Sequence, residues 1–353
     1  MEYRSCHLHL HGVSIEENLI RNCCLTTPSG SETPILMTEY KAENIDWDSI
    51  FESKKKYIEA LKLVEIPSCK GCYALDIKKW DDSKYISFIN FNHWTNCNSR
   101  CIYCGVDKEK KNENKKIFAS IKNLIDRGLF RNNGEITFQG GEPTLLDEFE
   151  DLVNLFIEQK ARIRVHSSGI LYSQAIANGL KDGTVTAVIS PDSGTKNTYE
   201  KIKKVPCFDK VWDNITRYAD YLNTENKYLL KTKYIIVPGY NDTFEEIENW
   251  LKLTEKAGVK SVIIDFEYTY TRQNINKISP HLYMLLDYVK HTAEKKGWEF
   301  SLYDSAVYAQ ESRIFKEKKF IMFLKPVYRF IIDKYKRRNT SLNIKHNWSR
   351  IVN

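Results

Sequence analysis

Tyr85-Ile86-Ser87-Phe88-Ile89-Asn90-Phe91 runs directly into Asn92-His93-Trp94-Thr95-Asn96-Cys97-Asn98-Ser99-Arg100-Cys101-Ile102-Tyr103-Cys104-Gly105. The first seven residues are rich in β-branched and aromatic side chains, which predicts a strand. The segment after it carries three cysteines in a C-x3-C-x2-C spacing at a strand-to-helix connection. A structural zinc site needs four closed ligands, and the next cysteine, Cys207, is far along the chain. Three thiolates on one short loop suit a 4Fe-4S cube better, because they hold three irons and leave the fourth open to a reactant.

Outward from this loop, short β-rich runs alternate with amphipathic stretches, the pattern of βα units around a parallel sheet. Strands are predicted at Tyr85 to Phe91, Glu135 to Phe138, Arg162 to His166, Thr184 to Ser190, Leu230 to Val237 and Ser261 to Glu267. Helices are predicted at Lys116 to Arg127, Leu145 to Gln159, Tyr172 to Gly179, Phe208 to Asn223 and Phe244 to Ala257, with Gly258 as a stop. A further helix, Pro280 to Lys295, and strand, Glu299 to Tyr303, extend the array. Periodicity alone leaves an open doubly wound sheet and a partial barrel as alternatives. Both place ligands at the C-terminal ends of the strands.

The motif C-x3-C-x-aromatic-C after the first strand, with Tyr103 at the aromatic position, resembles the signature loop of the radical S-adenosylmethionine (radical SAM) enzymes. The resemblance implies a partial (β/α)6 TIM barrel and a 4Fe-4S cluster on Cys97, Cys101 and Cys104. S-adenosylmethionine would chelate the open iron and be split by an electron to a 5′-deoxyadenosyl radical, which abstracts a substrate hydrogen. Flavodoxin or ferredoxin is the implied class of reductant. The second strand ends in Gln139-Gly140-Gly141-Glu142-Pro143-Thr144, similar to the family's Gly-Gly-Glu segment that receives the methionine ammonium. Two glycines let backbone carbonyls approach a cation, and a carboxylate adds complementary charge. The third strand ends in His166-Ser167-Ser168-Gly169, where Ser168 stands in place of the family's short polar contacts. Ser190-Pro191-Asp192-Ser193-Gly194 is similar to an element that meets ribose or substrate through Ser190 and Asp192, although turn chemistry explains it equally well. Val237, in Ile236-Val237-Pro238-Gly239-Tyr240-Asn241-Asp242, matches the segment beside the adenine, and Asn241-Asp242 are suited to capping the next helix. The resemblance covers about residues 85 to 268 and leaves the substrate, a peptide or a sugar or glycan, unread.

Upstream, Gly12 to Cys24 reads as a β-hairpin turning near Glu17-Asn18, with Cys6 and the Cys23-Cys24 pair at its ends. Cys69-Lys70-Gly71-Cys72 closes the segment, after a helix-like stretch from Trp47 to Leu63. Cys6, Cys23, Cys69 and Cys72 supply four thiolates, suited to zinc or to a fully ligated cluster. The pattern is similar to half of the SPASM/twitch auxiliary-cluster modules of the same family, which implies a second 4Fe-4S cluster. Those modules carry a Gly-x4-Cys hairpin, and with Asn18 in the glycine's place the four intervening residues imply Cys23 over Cys24. Cys207 is weighed as a hydrogen-atom donor against an ordinary half-buried cysteine.

With 353 residues, 42% hydrophobic and 28% charged, and only 15 Gly and 9 Pro, the chain lies outside the disordered and collagenous classes. The expected division is a cysteine-rich module over 1–80, a barrel over 81–305 and a basic amphipathic tail over 306–353. The formal net charge is +7, and the lysines and arginines beyond residue 315 more than account for it. The near-neutral body argues against nucleic acid as a partner. Phe320, Phe323, Leu324, Val327, Ile331 and Tyr335 recur at helical spacing among basic residues, which suits peripheral contact with an anionic membrane surface or packing on the barrel. The N-terminus lacks a signal-peptide pattern and no apolar run is long enough to span a bilayer, so the expected location is the cytoplasm, at or near the inner membrane surface. The competing class is a non-enzymatic, zinc-stabilised adaptor that docks on a membrane or partner.

Overall fold

The computed structural model describes residues 2–17, 19–22, 37–39, 44–63, 75–105, 116–274 and 278–303. The cysteine loop follows β6 (Ile86–Phe91), and six further strands come after it: β7 (Phe130–Phe138), β8 (Arg162–Ser167), β9 (Val185–Ile189), β10 (Leu230–Ile236), β11 (Ser261–Phe266) and β12 (Glu299–Leu302). Each pairs in parallel with the next, in sequence order. This singly wound order is that of a barrel and removes the doubly wound alternative. Between the strands lie α3 (Phe118–Asp126), α4 (Phe149–Glu158), α5 (Gln174–Asp182), α6 (Lys196–Lys203), α7 (Phe208–Ala219), α8 (Phe244–Lys256), α9 (Tyr268–Asn274) and α10 (Pro280–Lys296).

One face of each strand is packed on the helices. Phe91 and Phe138 stack at 4.7 Å, and Phe138 meets Phe149 of α4 edge-on at 5.3 Å. Burying such rings, each worth about 1.5–3 kcal/mol on leaving water, is what holds helices to sheet. The opposite strand face lines a concavity. β7 begins five residues before the predicted start at Glu135. Asn133 does adopt a left-handed φ of 62°, but it marks an irregularity in β7's pairing with β6 rather than the end of the strand.

The segment expected as a module of its own over 1–80 shares, in its described residues, the barrel's sheet and core. β1 (Tyr3–Ser5) pairs with β5 (Asp76–Lys78) outside the main sheet. α1 (His7–His11) leads into β2 (Gly12–Ile15), which lies parallel to β6, and β3 (Leu19–Arg21) returns antiparallel to β2. The hairpin therefore forms as read, with β4 (Met37–Glu39) beside it, and it extends the barrel's sheet at the β6 edge. α2 (Trp47–Leu63) matches its expected bounds. Its Trp47 is buried, and the indole Nε1 donates to the Ser120 carbonyl of α3 at 2.9 Å. Among the described residues no helix is long and apolar enough to cross a membrane.

Candidate functional site

The cysteine loop leaves β6 at Phe91 and is held from two sides. On one side the Gly141 and Glu142 amides donate to the carbonyls of Trp94 and Asn96 at 2.7 and 2.8 Å. This contact requires glycine: a Cβ on Gly141 would lie 2.3 Å from the Asn96 oxygen, and one on Gly140, where φ is +101°, 2.7 Å from the Trp94 oxygen. On the other side the Arg100 and Ile102 amides donate to the carbonyls of Lys203 and Ile202 at 2.8 and 3.0 Å. The last carbonyls of a helix lack intrahelical partners, so the end of α6 is a ready-made clamp for the loop. Asn98 completes the attachment, its Oδ1 accepting from the Ser168 hydroxyl at 2.9 Å.

Cys97 and Cys104 are exposed and Cys101 is half-buried. The Ser99 hydroxyl lies 3.3 Å from the Cys97 sulfur and 3.5 Å from that of Cys101, so the two sulfurs flank one hydroxyl. The Cys104 amide donates back to the Cys101 carbonyl at 3.2 Å, a tight turn that brings the third cysteine round. Surrounding protein pushes the Cys97 thiol up, against a smaller lowering by Ser99. This donor set fits a cluster whose thiolates each take a separate iron. Among the described residues no three His, Cys, Asp or Glu side chains converge tightly enough to share a single ion.

Glu142 is 1% exposed and fully engaged. It accepts from the Thr144 amide and hydroxyl at 3.2 and 2.6 Å, from the Ser167 hydroxyl at 2.8 Å and from the Ser168 amide at 2.6 Å. Its carboxylate thus fastens the Pro143–Leu145 turn to the end of β8, with Pro143 buried in that turn. The resemblance expects this segment to receive the methionine ammonium; the contacts the carboxylate makes in the structure are to Thr144, Ser167 and Ser168.

Beneath the loop lies a buried polar network. Asp192, 0% exposed and left-handed at φ 52°, accepts on Oδ2 from the Tyr103 hydroxyl and the Lys203 ammonium, and on Oδ1 from the Ile235 amide at 2.7 Å. Lys203, itself 3% exposed, also donates to the Tyr103 oxygen at 2.9 Å. Burial opposes the Lys203 charge, but Asp192 and, less strongly, Cys101 raise its pKa overall. Burial and then Asp192 raise that of Tyr103. Asn241 ties in the next strand, donating to the carbonyls of Asp192 and Ile235, both at 2.8 Å, and accepting from the Val237 amide at 2.7 Å. The capping role expected of Asn241-Asp242 falls instead to Thr243, whose hydroxyl accepts from the Glu246 amide. Sequence reasoning missed Lys203 because nothing in Lys201-Ile202-Lys203-Lys204 separates it from its solvated neighbours. It also missed Glu246, which accepts from the Gly194 amide at 2.8 Å and anchors the Ser190–Gly194 turn.

Ser190 is half-buried, and its amide donates to Ser167 at 3.2 Å. Cys207 precedes α7 and packs partly buried on the core. Cys6 does not stand at the hairpin's end: it caps α1, its sulfur accepting from the His9 amide at 3.4 Å, and is 3% exposed. Cys23, Cys24, Cys69, Cys72, Asn18 and the tail from 304 lie outside the described residues.

Residues 91–254 match the Radical SAM superfamily model, a stretch that contains every loop and strand end just described. GTP 3',8-cyclase of Haemophilus influenzae (strain PittEE) is 30% identical over 166 residues, 44% of this chain and 47% of that protein. Cysteine-type anaerobic sulfatase-maturating enzyme of Clostridium novyi (strain NT) is 30% identical over 139 residues, 34% of this chain and 37% of that protein. The chain thus spans about half, or less, of the length of these curated relatives. Among solved structures, Streptococcus suis SuiB bound to S-adenosylmethionine aligns with a TM-score of 0.49 at 12% identity, covering 74% of this chain and 57% of that one.

Proposed function

From the match of residues 91–254 to the Radical SAM superfamily model, we propose that this protein reductively cleaves S-adenosylmethionine and removes hydrogen from an unactivated C–H bond of a peptide or sugar substrate. The observation that carries the reading is the clamped loop, which presents Cys97, Cys101 and Cys104 at the C-terminal ends of parallel strands. A 4Fe-4S cluster held there would supply the electron that breaks the sulfonium C–S bond. Gly140 and Gly141 allow close backbone approach beside that cluster, and the same reading assigns Ser168, Ser190, Asp192 and Val237 to the cofactor. The Tyr103–Asp192–Lys203 network keeps the loop in register with β9 and β10. A protein substrate agrees with the name of the sulfatase-maturating relative.

The same reading assigns Cys6, Cys23, Cys69 and Cys72 to a second 4Fe-4S cluster, a flavodoxin or ferredoxin to electron supply, and residues 306–353 to contact with an anionic membrane surface. Anaerobic reconstitution, reduction with dithionite and chromatography for 5′-deoxyadenosine tests the core of it without a substrate. Wild type is expected to form the nucleoside, and a Cys97→Ala, Cys101→Ala, Cys104→Ala variant to form none. Retained cleavage in the variant, or a colourless zinc protein from wild type, would overturn the proposal.

A further inference from the structure

One buried hydroxyl lies among the loop's sulfurs without a part in the reading above. Ser99 is 5% exposed and stands between two fastened residues. Asn98 before it accepts from the Ser168 hydroxyl at 2.9 Å, and the Arg100 amide after it donates to the Lys203 carbonyl at 2.8 Å. With its neighbours pinned to the ends of β8 and α6, Ser99 is held where it is. Its Oγ lies 3.3 Å from the Cys97 sulfur and 3.5 Å from the Cys101 sulfur.

Two thiols beside a hydroxyl leave the direction of these bonds open, since S–H and O–H can each donate. Two thiolates do not. A thiolate has no proton to give, so when both sulfurs are bound to iron the hydroxyl is the donor and the sulfur the acceptor. Hydrogen bonds to the sulfurs are among the factors that set the reduction potential of an iron–sulfur cluster. Such a bond strengthens with the negative charge on its acceptor. It therefore favours the reduced, more negative cluster over the oxidised one and raises the potential.

We propose that the Ser99 hydroxyl donates to the thiolate pair of Cys97 and Cys101 and thereby sets how readily the loop's 4Fe-4S cluster takes up an electron. Ser99 acts through the cysteines and is a positioning residue. Its hydroxyl lets a milder electron carrier reduce the cluster and leaves the cluster a weaker reductant in turn. The inference rests on the preceding reading in taking Cys97, Cys101 and Cys104 as cluster ligands; it needs neither S-adenosylmethionine nor a substrate.

The test is an anaerobic redox titration of the reconstituted full-length protein, followed by electron paramagnetic resonance without S-adenosylmethionine. Every sample carries Cys69→Ala and Cys72→Ala, so that the loop cluster alone gives the signal. Ser99→Ala is expected to weaken the reduction equilibrium about tenfold, a move of about 59 mV to more negative potential for one electron. Ser99→Thr, which keeps the hydroxyl, should recover most of that shift. An unchanged midpoint in Ser99→Ala would overturn the proposal, as would an equal shift in Ser99→Thr. So would a Ser99→Ala protein that folds yet takes up no iron, because the hydroxyl would then build the site rather than tune it. If Ser99→Ala fails to fold, Ser99→Gly removes the same hydroxyl and decides in its place. The two readings fail differently: a parent protein that takes up no iron sinks the cluster reading itself, and a loaded parent whose midpoint ignores Ser99 sinks the Ser99 assignment alone.

Discussion

Lys203 and Asp192 are 3% and 0% exposed and form a buried ion pair that the Tyr103 hydroxyl joins. Deleting one partner of such a pair strands the other charge, a loss on the order of 3–5 kcal/mol. Lys203→Met is accordingly expected to lower unfolding free energy in urea by that order, and the double variant Lys203→Met, Asp192→Leu to recover part of it. Additive losses would contradict the coupling. His9 supplies a pH dependence of its own. Burial first, and the Lys54 ammonium second, hold its pKa down to about 4, with Tyr57 edge-on at 4.9 Å. Its folded value lies below its unfolded one, so the unfolded chain binds the extra proton and stability falls as pH drops from about 6.5 towards 4. Between pH 7.5 and pH 5 this amounts to about 2 kcal/mol. Comparison of denaturation midpoints in wild type and His9→Gln should show a flatter profile in the variant.

Among elements, the glycine pair after β7 decides whether the loop can be seated at all. Gly141→Ala would drive a methyl into the Thr95–Asn96 backbone, which cannot swing away as a flexible side-chain tip could. Since the clash is local to the loop, reconstituted iron content is expected to drop by half or more while far-UV circular dichroism stays as in wild type. Full iron loading in the variant would show that the loop seats elsewhere. This contact was half legible beforehand: Gly-Gly announced a close approach, but only the fold reveals that the approaching group is the cysteine loop. α6 escaped prediction because Lys196-Asn197-Thr198-Tyr199-Glu200-Lys201-Ile202-Lys203 has only Tyr199 and Ile202 to mark a buried face. Its carbonyl end nonetheless forms the loop's second clamp. Parallel strands and their helices were legible because burial against helices on one face writes a strong apolar signal. The inner face writes none, since a polar lumen looks like an exposed surface in sequence.

At the scale of the whole molecule, the β2–β3 hairpin was legible in the sequence, but not the attachment of β2 to β6, because backbone pairing leaves no residue signature. That attachment places Cys6 relative to the loop. His7 lies 2.8 Å from the Ser87 hydroxyl and His11 stacks on Tyr85 at 3.9 Å, so α1, which Cys6 caps, sits where β6 begins. The loop starts where β6 ends, at roughly 3.3 Å per residue about 20 Å away. A second cluster ligated by Cys6 would therefore lie near the opposite end of the sheet from Cys97, Cys101 and Cys104, and the two should load independently. Cys69→Ala, Cys72→Ala is expected to reduce reconstituted iron from roughly eight to roughly four per chain, with substrate-free formation of 5′-deoxyadenosine kept within about threefold of wild type. Unchanged iron would remove the second cluster from the proposal. Loss of nucleoside formation along with the iron would show that the two ends of the barrel are coupled, against the separation that the β2–β6 pairing implies.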